Sequence, residues 1–595
     1  MKRVISFLAI AIVGLLLSAC TLAADPSLIA PTPASPALKA IGAPGAGDPI
    51  FPNAGNGGID VQHYLLDIDW DAQTSVIDAV AILDILATQE LSAFNLDFYD
   101  LTVDHVMVDG EPADYNHDDG ELQIFLPGSA PLHNGQSFQV TIAYSGVPQP
   151  ISDPSLGGAS IGWLANEKGV VVVSEPIGSP TWYPVNDHPS DKALYTFRVT
   201  VPKPYTVAAN GLPSDPVDNG DTVTYEFISD DEMASYLATV DIWNFRLETQ
   251  EGPGGLPILN YIPTTLPRES EAVFRDQPAI IQFFSDLYGP YPFDSAGAIV
   301  VDRGLGFSLE TQTRPVYDSL MLFMANVVVP HELAHQWFGD SVSLAEWDDI
   351  WLNEGFATYS QMLWLEHEEG PDALAEDVRR KYLGYLDAVI LPKGYFVTSY
   401  ARHLSDVMGR EARFDREQIR QVLTILLGDG LDEAELQRAL DAVPDEGVSA
   451  AKIGAVFEPL TFDTIILTPG KDIRVQQALG NDSARLPEPS HGMEAPNPPG
   501  VVDETTLFST DGVYNRGALT LHALRLLVGD ETFFEIMRTY YQRYQYGNAA
   551  IADFIAVAEE VSGQDLENFF DAWLYEAPLP PIPALGLAPD RIDDR

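Results

Sequence analysis

His331-Glu332-Leu333-Ala334-His335 sets two imidazoles four positions apart, with a carboxylate beside the first. On a helix, positions four apart share a face, so both rings reach one metal ion and Glu332 can face a water there. The pentapeptide alone would also fit a helix with two exposed histidines. A second feature decides against that reading. Trp351-Leu352-Asn353-Glu354-Gly355-Phe356-Ala357-Thr358-Tyr359 places Glu354 19 positions after His335 on another predicted helix. Two neutral imidazoles and one carboxylate leave a fourth position open, the catalytic arrangement of zinc rather than the closed structural one. One zinc ion per chain is expected, on His331, His335 and Glu354, with Glu332 as the proton carrier of a hydrolase.

These residues need elements to hold them. From Tyr64 the chain alternates apolar and polar residues: Tyr64, Leu66, Ile68 and Trp70, then Phe138 to Tyr144, then Tyr195 to Val201. Such period-two runs, with turn signals such as Asn134-Gly135 between them, predict an all-β domain over 61–250. Helical spacing follows at 272–288, 317–339, 353–368 and 371–391, and again at 514–528, 531–546, 549–562 and 565–575. The catalytic domain is thus expected in two parts, 251–403 and 501–580, with an insertion at 404–500 and a tail at 581–595. The insertion shows helix-like pieces at 415–427, 431–442 and 448–457 and an extended piece near Phe462 to Leu467. It is expected to cover or gate the cleft. Pro330, directly before His331, removes a backbone donor and predicts a kink.

The chain has 595 residues, with Lys+Arg 32 against Asp+Glu 87 and a net charge of -55. So negative a molecule repels nucleic acid and anionic lipid heads, so no nucleic-acid partner is expected. The bland reading of the acid is a solvated surface. Cys20 is the single cysteine, which excludes an intrachain disulfide and a cysteine zinc site. Lys2 and Arg3, the apolar run from Val4 to Leu17 and then Ser18-Ala19-Cys20 read as a signal segment over 1–19, too short to span a membrane. The ending Leu17-Ser18-Ala19-Cys20 resembles a bacterial lipobox, which implies lipidation of Cys20 and attachment outside the cytoplasm. The proline- and glycine-rich residues 20–60 then read as a tether.

His331 to Asp340, followed by Trp351 to Ala357, resembles the gluzincin aminopeptidases related to aminopeptidase N. Glu175-Pro176 through Lys192 is similar to the family's β-domain segment at the cleft. Gly306-Phe307-Ser308-Leu309-Glu310-Thr311 sits where the family carries its Gly-x-Met-Glu-Asn loop, without the usual methionine and asparagine. Val513 to Ala518 resembles the Tyr-x-Lys-Gly segment, and Phe569 to Leu574 the end of the catalytic domain. The resemblance implies an α+β multidomain fold: a saddle-like β domain, then a thermolysin-like, mainly helical catalytic domain, without the large helical C-terminal domain of longer members. It implies that Glu175 and Glu310 hold the α-ammonium group of a peptide, and that Tyr514 donates to the oxyanion. Taken alone, Glu310 would pass for a solvated loop acid and Tyr514 for a core aromatic. Asp340, Asp348 and Asp349 fit either orienters of the histidines or solvated acids. The expectation is a zinc aminopeptidase acting on peptides. The alternatives are a zinc endopeptidase, or another zinc hydrolase that needs no free amino terminus, and a peptide-binding surface lipoprotein without catalysis.

Overall fold

The computed structural model of the chain describes residues 40–385 (129 excepted), 389–392, 497–588 and parts of 404–479. The expected signal segment, Cys20 and the first half of the tether lie outside the described residues.

Strand Ile59–Trp70 realises the alternation: Tyr64, Leu66, Ile68 and Trp70 are buried and Asp69 is exposed. It lies in a nine-stranded sheet, parallel to Ala193–Pro202 on one side and antiparallel to Ile77–Ala87 on the other. Ser137–Gly146 follows Ile77–Ala87, and in all four strands the alternate apolar residues of one face, such as Leu66, Leu83, Val140 and Phe197, are buried. Each large apolar side chain so buried contributes about 1.5–3 kcal/mol, which fixes the register, because a one-residue slip would turn the row to water. A five-stranded sheet carries Gly169–Val173, buried at every position, which runs out at Ser174 and delivers Glu175 to the cleft.

The described part of the expected tether is packed. Asp48 is buried, and its carboxylate accepts from the backbone N–H groups of Ile50 (2.7 Å), Phe51 (2.8 Å) and Trp347 (2.7 Å). Phe51 meets Trp347 edge to face at 6.0 Å. The glycines here serve close approach rather than freedom: a Cβ on Gly42 would sit 2.4 Å from the Gly57 carbonyl oxygen. Residues 40–58 are a strap, and composition alone does not distinguish a strap from a tether.

The boundary expected at 250 cuts a hairpin. Phe245–Glu251 pairs with Pro257–Pro263, and both join Ala296–Val301, Val316–Asp318 and Ser308–Leu309 in a second five-stranded sheet. Ala296–Val301 is buried throughout, so it lacks the alternation that marks a half-exposed strand. Among the described residues, the α-helices of the second domain outside 404–479 that are longer than four residues are α1 (Gln277–Tyr288), α2 (Ala325–His335), α3 (Trp351–Glu369), α4 (Pro371–Tyr385), α5 (Arg516–Val528), α6 (Asp530–Tyr544) and α7 (Ile551–Ser562). The segment expected as one helix over 317–339 begins as a strand, passes through a 3-10 turn at Ser319–Met324 and becomes α2 only at Ala325. Pro330 does not end α2, whose residues Val329, Leu333 and Ala334 are buried in the core. The helix expected to 391 is described as far as Tyr385, and Val389–Pro392 is instead a strand that pairs antiparallel with Thr464–Leu467.

Within 404–479 the described residues form a core of their own, around Phe414, Ile419, Leu423, Leu440 and Ile453. The β domain is pinned to the helical one by Lys192. Its buried Nζ donates to the carbonyls of Asp340 (2.9 Å), Ser341 (3.0 Å) and Gly547 (3.5 Å).

Candidate active site

α2 presents His331 and His335 on one face, and α3 crosses it with Glu354 in its first turn. The two Nε2 atoms lie 3.1 Å apart, and Glu354 Oε2 lies 3.3 Å from His331 and 3.5 Å from His335. A tetrahedral ion with bonds of about 2.0–2.1 Å holds its ligand atoms roughly 3.3 Å apart, so the triangle fits zinc. Glu354 Oε2 is buried and has no hydrogen-bond donor, which is the condition of an atom meant for a cation. The donor set therefore fits the ion.

The outward nitrogens are fixed. His331 Nδ1 faces Gln361 Oε1 at 3.1 Å and His335 Nδ1 faces the Phe338 carbonyl at 3.1 Å. Both acceptors hold the proton on Nδ1 and leave Nε2 free for the metal. Asp340, Asp348 and Asp349 do not take this part. Asp349 accepts from the backbone of Ile551 at 2.8 Å, and Asp340 is buried with neither carboxylate oxygen paired.

Glu310 follows the edge strand Ser308–Leu309, and Gln336 ties it to the metal helix. Gln336 Nε2 donates to the Glu310 carbonyl at 3.1 Å, while its Oε1 accepts from the Thr313 N–H at 2.8 Å. Carboxylate oxygens of Glu175, Glu310 and Glu354 fall within 4.8 Å of one another, and so do ligand atoms of Glu310, Glu332 and His335. Oε1 of Glu175 and Oε1 of Glu310 are buried without a donor. Glu175, Glu310, Glu332 and Tyr514 line one cleft of about 380 Å³ with the metal triangle.

Tyr514 sits on a π-helical turn, Thr510–Asn515, with its ring stacked on His331 at 5.9 Å and 9°. Two glycines bring it there across the long intervening sequence. A Cβ on Gly517 would lie 3.0 Å from the Gly355 Cα, and a Cβ on Gly355 would lie 3.0 Å from the Gly517 Cα. Only bare backbones let α5 approach α3 this closely beside Glu354. Arg516, fully buried, locks the start of α5 by donating to the carbonyls of Trp573 (2.8 Å), Ala572 (3.0 Å) and Ala577 (3.0 Å).

The electrostatics are those of a site short of positive charge. Burial, then the neighbouring Glu310, pushes the Glu175 carboxyl well up; burial does the same to Glu332, and it raises Glu310 against the pull of His335. Burial opposes ionisation of Glu354, yet His335 and His331 prevail and hold it at about 2. A metal cation and a ligand ammonium are the charges that would balance this set. The sequence reading missed Gln336, Gln361, Lys192 and the glycine pair. Gln336, Lys192, Gly355 and Gly517 stood inside the quoted motifs, but their partners are remote in sequence.

Residues 60–237 match the Peptidase M1 N-terminal domain, and residues 313–445 and 471–573 match the Peptidase family M1 domain. The family domain thus skips only 446–470, a shorter interruption than the insertion expected at 404–500. Glutamyl aminopeptidase of Mus musculus is 30% identical over 211 residues, 33% of this chain and 22% of that protein. Aminopeptidase N of Haemonchus contortus is 25% identical over 406 residues, 65% of this chain and 32% of the relative. The chain therefore spans about a fifth to a third of the length of these relatives. Among solved structures, an M1 zinc metallopeptidase from Deinococcus radiodurans superposes with a TM-score of 0.67 at 24% identity, covering 92% of this chain and 100% of that one. A mutant of that enzyme bound to a Tyr-Ser-Ala substrate gives 0.66 at 24% identity over 91% of this chain and 99% of that one. At that identity they show the fold, an all-β domain followed by a helical catalytic domain. Two models of one family, covering the β domain and most of the helical domain that holds the metal triangle, show that the chain belongs to peptidase family M1.

Proposed function

We propose that the protein is a zinc-dependent aminopeptidase that removes residues from the free amino end of peptides. The observation that carries this reading is the pair Glu175 and Glu310, from different domains, with unpaired buried oxygens in the same cleft as the metal triangle. A carboxylate pair facing inward suits an ammonium group, and it limits cleavage to the first peptide bond. Zinc held by His331, His335 and Glu354 supplies Lewis acidity that polarises a carbonyl and acidifies water. Glu332 takes the proton from the attacking water and passes it to the leaving amine. Its raised proton affinity in this buried setting suits both transfers. The Tyr514 hydroxyl donates to the oxygen that gains charge, and its half-buried phenol, desolvated and close to Glu354, keeps its proton. Replacing Glu332 by Gln should leave zinc content unchanged and cut kcat by about 10²–10⁴-fold. A Glu332→Gln variant with parental turnover would remove this mechanism, and peptide hydrolysis that survives complete chelation would remove the metal from it.

The signal pattern and Cys20 support an enzyme tethered by lipid to the outer side of a bacterial membrane. Cys20→Ser should abolish acylation and membrane partition, and an unacylated parent that stays soluble would contradict this placement.

A further inference from the structure

The 3-10 turn before the metal helix, Ser319–Met324, exposes apolar side chains at the mouth of the cleft. Phe323 is 79% exposed, Leu320 64% and Val327, in the first turn of α2, 40%. Single exposed apolar residues are ordinary, but three on adjoining turns in a chain of net charge -55 form a patch. The patch is continuous with the site, since Met321 and Val328 from the same two turns line the cleft.

Its place along the cleft follows from the helix. Glu310 groups with Glu332 and His335, and Glu175 groups with Glu310 and Glu354, while His331 belongs to neither group. The carboxylate pair therefore lies toward the C-terminal end of α2. A peptide held there by its ammonium group and running past the metal triangle continues toward His331 and the N-terminal end of α2. Val328 stands one turn before His331 on that route, and Leu320, Phe323 and Val327 come next.

We infer that this apolar rim receives the residues downstream of the cleaved bond, so that the preferred substrates are peptides of three or more residues with apolar side chains after the second. The inference rests on the aminopeptidase reading and adds to it a substrate class. No charge from the rim competes with the ammonium anchor, and an apolar side chain laid on Phe323 leaves water at little cost.

The test uses two pentapeptides with the same first two and last residues, the third and fourth being either leucine and phenylalanine or serine and glycine. An aminoacyl anilide, which has no downstream residues, reports first-residue chemistry separately. The zinc-loaded parent should show kcat/KM about three- to tenfold higher on the apolar pentapeptide, the return from partly burying a few methylene groups. Phe323→Ser combined with Leu320→Ser should bring that ratio close to one, with the zinc content and thermal midpoint of the parent. Both positions are exposed, so the variant is expected to fold. A parental ratio near one while the anilide is cut overturns the rim and leaves the aminopeptidase reading standing. An unchanged ratio in the double variant does the same, as does a double variant that alters only self-association or binding to anionic vesicles. If the parent cuts no free-amine substrate, anilide included, the aminopeptidase reading fails and takes the rim with it.

Discussion

His331, His335 and Glu354 could be named from sequence because their spacing is local: four positions on one helix and a short step to the next. What holds them in place could not be named. Gln361 is seven positions beyond Glu354, and only the crossing of α2 and α3 brings its amide oxygen to His331 Nδ1 at 3.1 Å. That acceptor is neutral, so it orients the ring without adding charge to a site already rich in carboxylates. Replacing Gln361 by Ala should free the ring and weaken zinc binding by about 10–100-fold, measured by competition with a chelator. Gln361→Glu should restore or exceed the parental affinity, because a carboxylate makes the imidazole more basic. Equal zinc affinity in all three proteins would show that packing alone orients His331.

Among elements, the legible ones were those with strong period. Ile59–Trp70 and α3 follow their apolar pattern closely, because burial on one face or on nearly all faces leaves a clear record. Ala296–Val301 was not legible, since a strand buried on both faces has no alternation to read. The strap at residues 40–58 was misread for the opposite reason: glycines that permit contact look the same as glycines that avoid it. Tyr514 depends on such a contact. Gly517→Ala places a methyl group 3.0 Å from the Gly355 Cα, so α5 must move out by a few tenths of an ångström and carry Tyr514 with it. We expect a loss of about 1–3 kcal/mol in stability from this overpacking. We also expect kcat to fall by up to about 10²-fold, as for small misplacements of catalytic groups, with zinc retained. Parental kcat in a folded Gly517→Ala protein would mean that the helix contact does not set the position of the phenol.

For the whole molecule, the acid is not only a solvated surface. Burial raises Asp97 and Asp241 to about 7, Asp349 to about 7 and Glu121 to about 8. Unfolded carboxyls titrate near about 4, so from there to about 8 the folded protein holds protons that the unfolded chain has lost. Stability from these groups is therefore fully present at low pH and falls as pH rises through that window. With zinc saturating, the thermal midpoint should be higher at about pH 5 than at about pH 8, and Asp97→Asn should narrow the gap. A midpoint that rises with pH across this range would contradict the assignment of these buried acids. The two domains also meet in function, because Glu175 comes from the β domain and Glu310 from the catalytic one, and both face the metal triangle. Their joint role is tested most directly by comparing the same peptide with a free and with an N-acetylated amino terminus. Acetylation removes the cation and puts a neutral amide in its place, so kcat/KM should fall by about 30- to several-thousand-fold, the cost of leaving buried carboxylates without their partner. Equal cleavage of the two peptides, or cuts that begin inside the chain, would contradict the account.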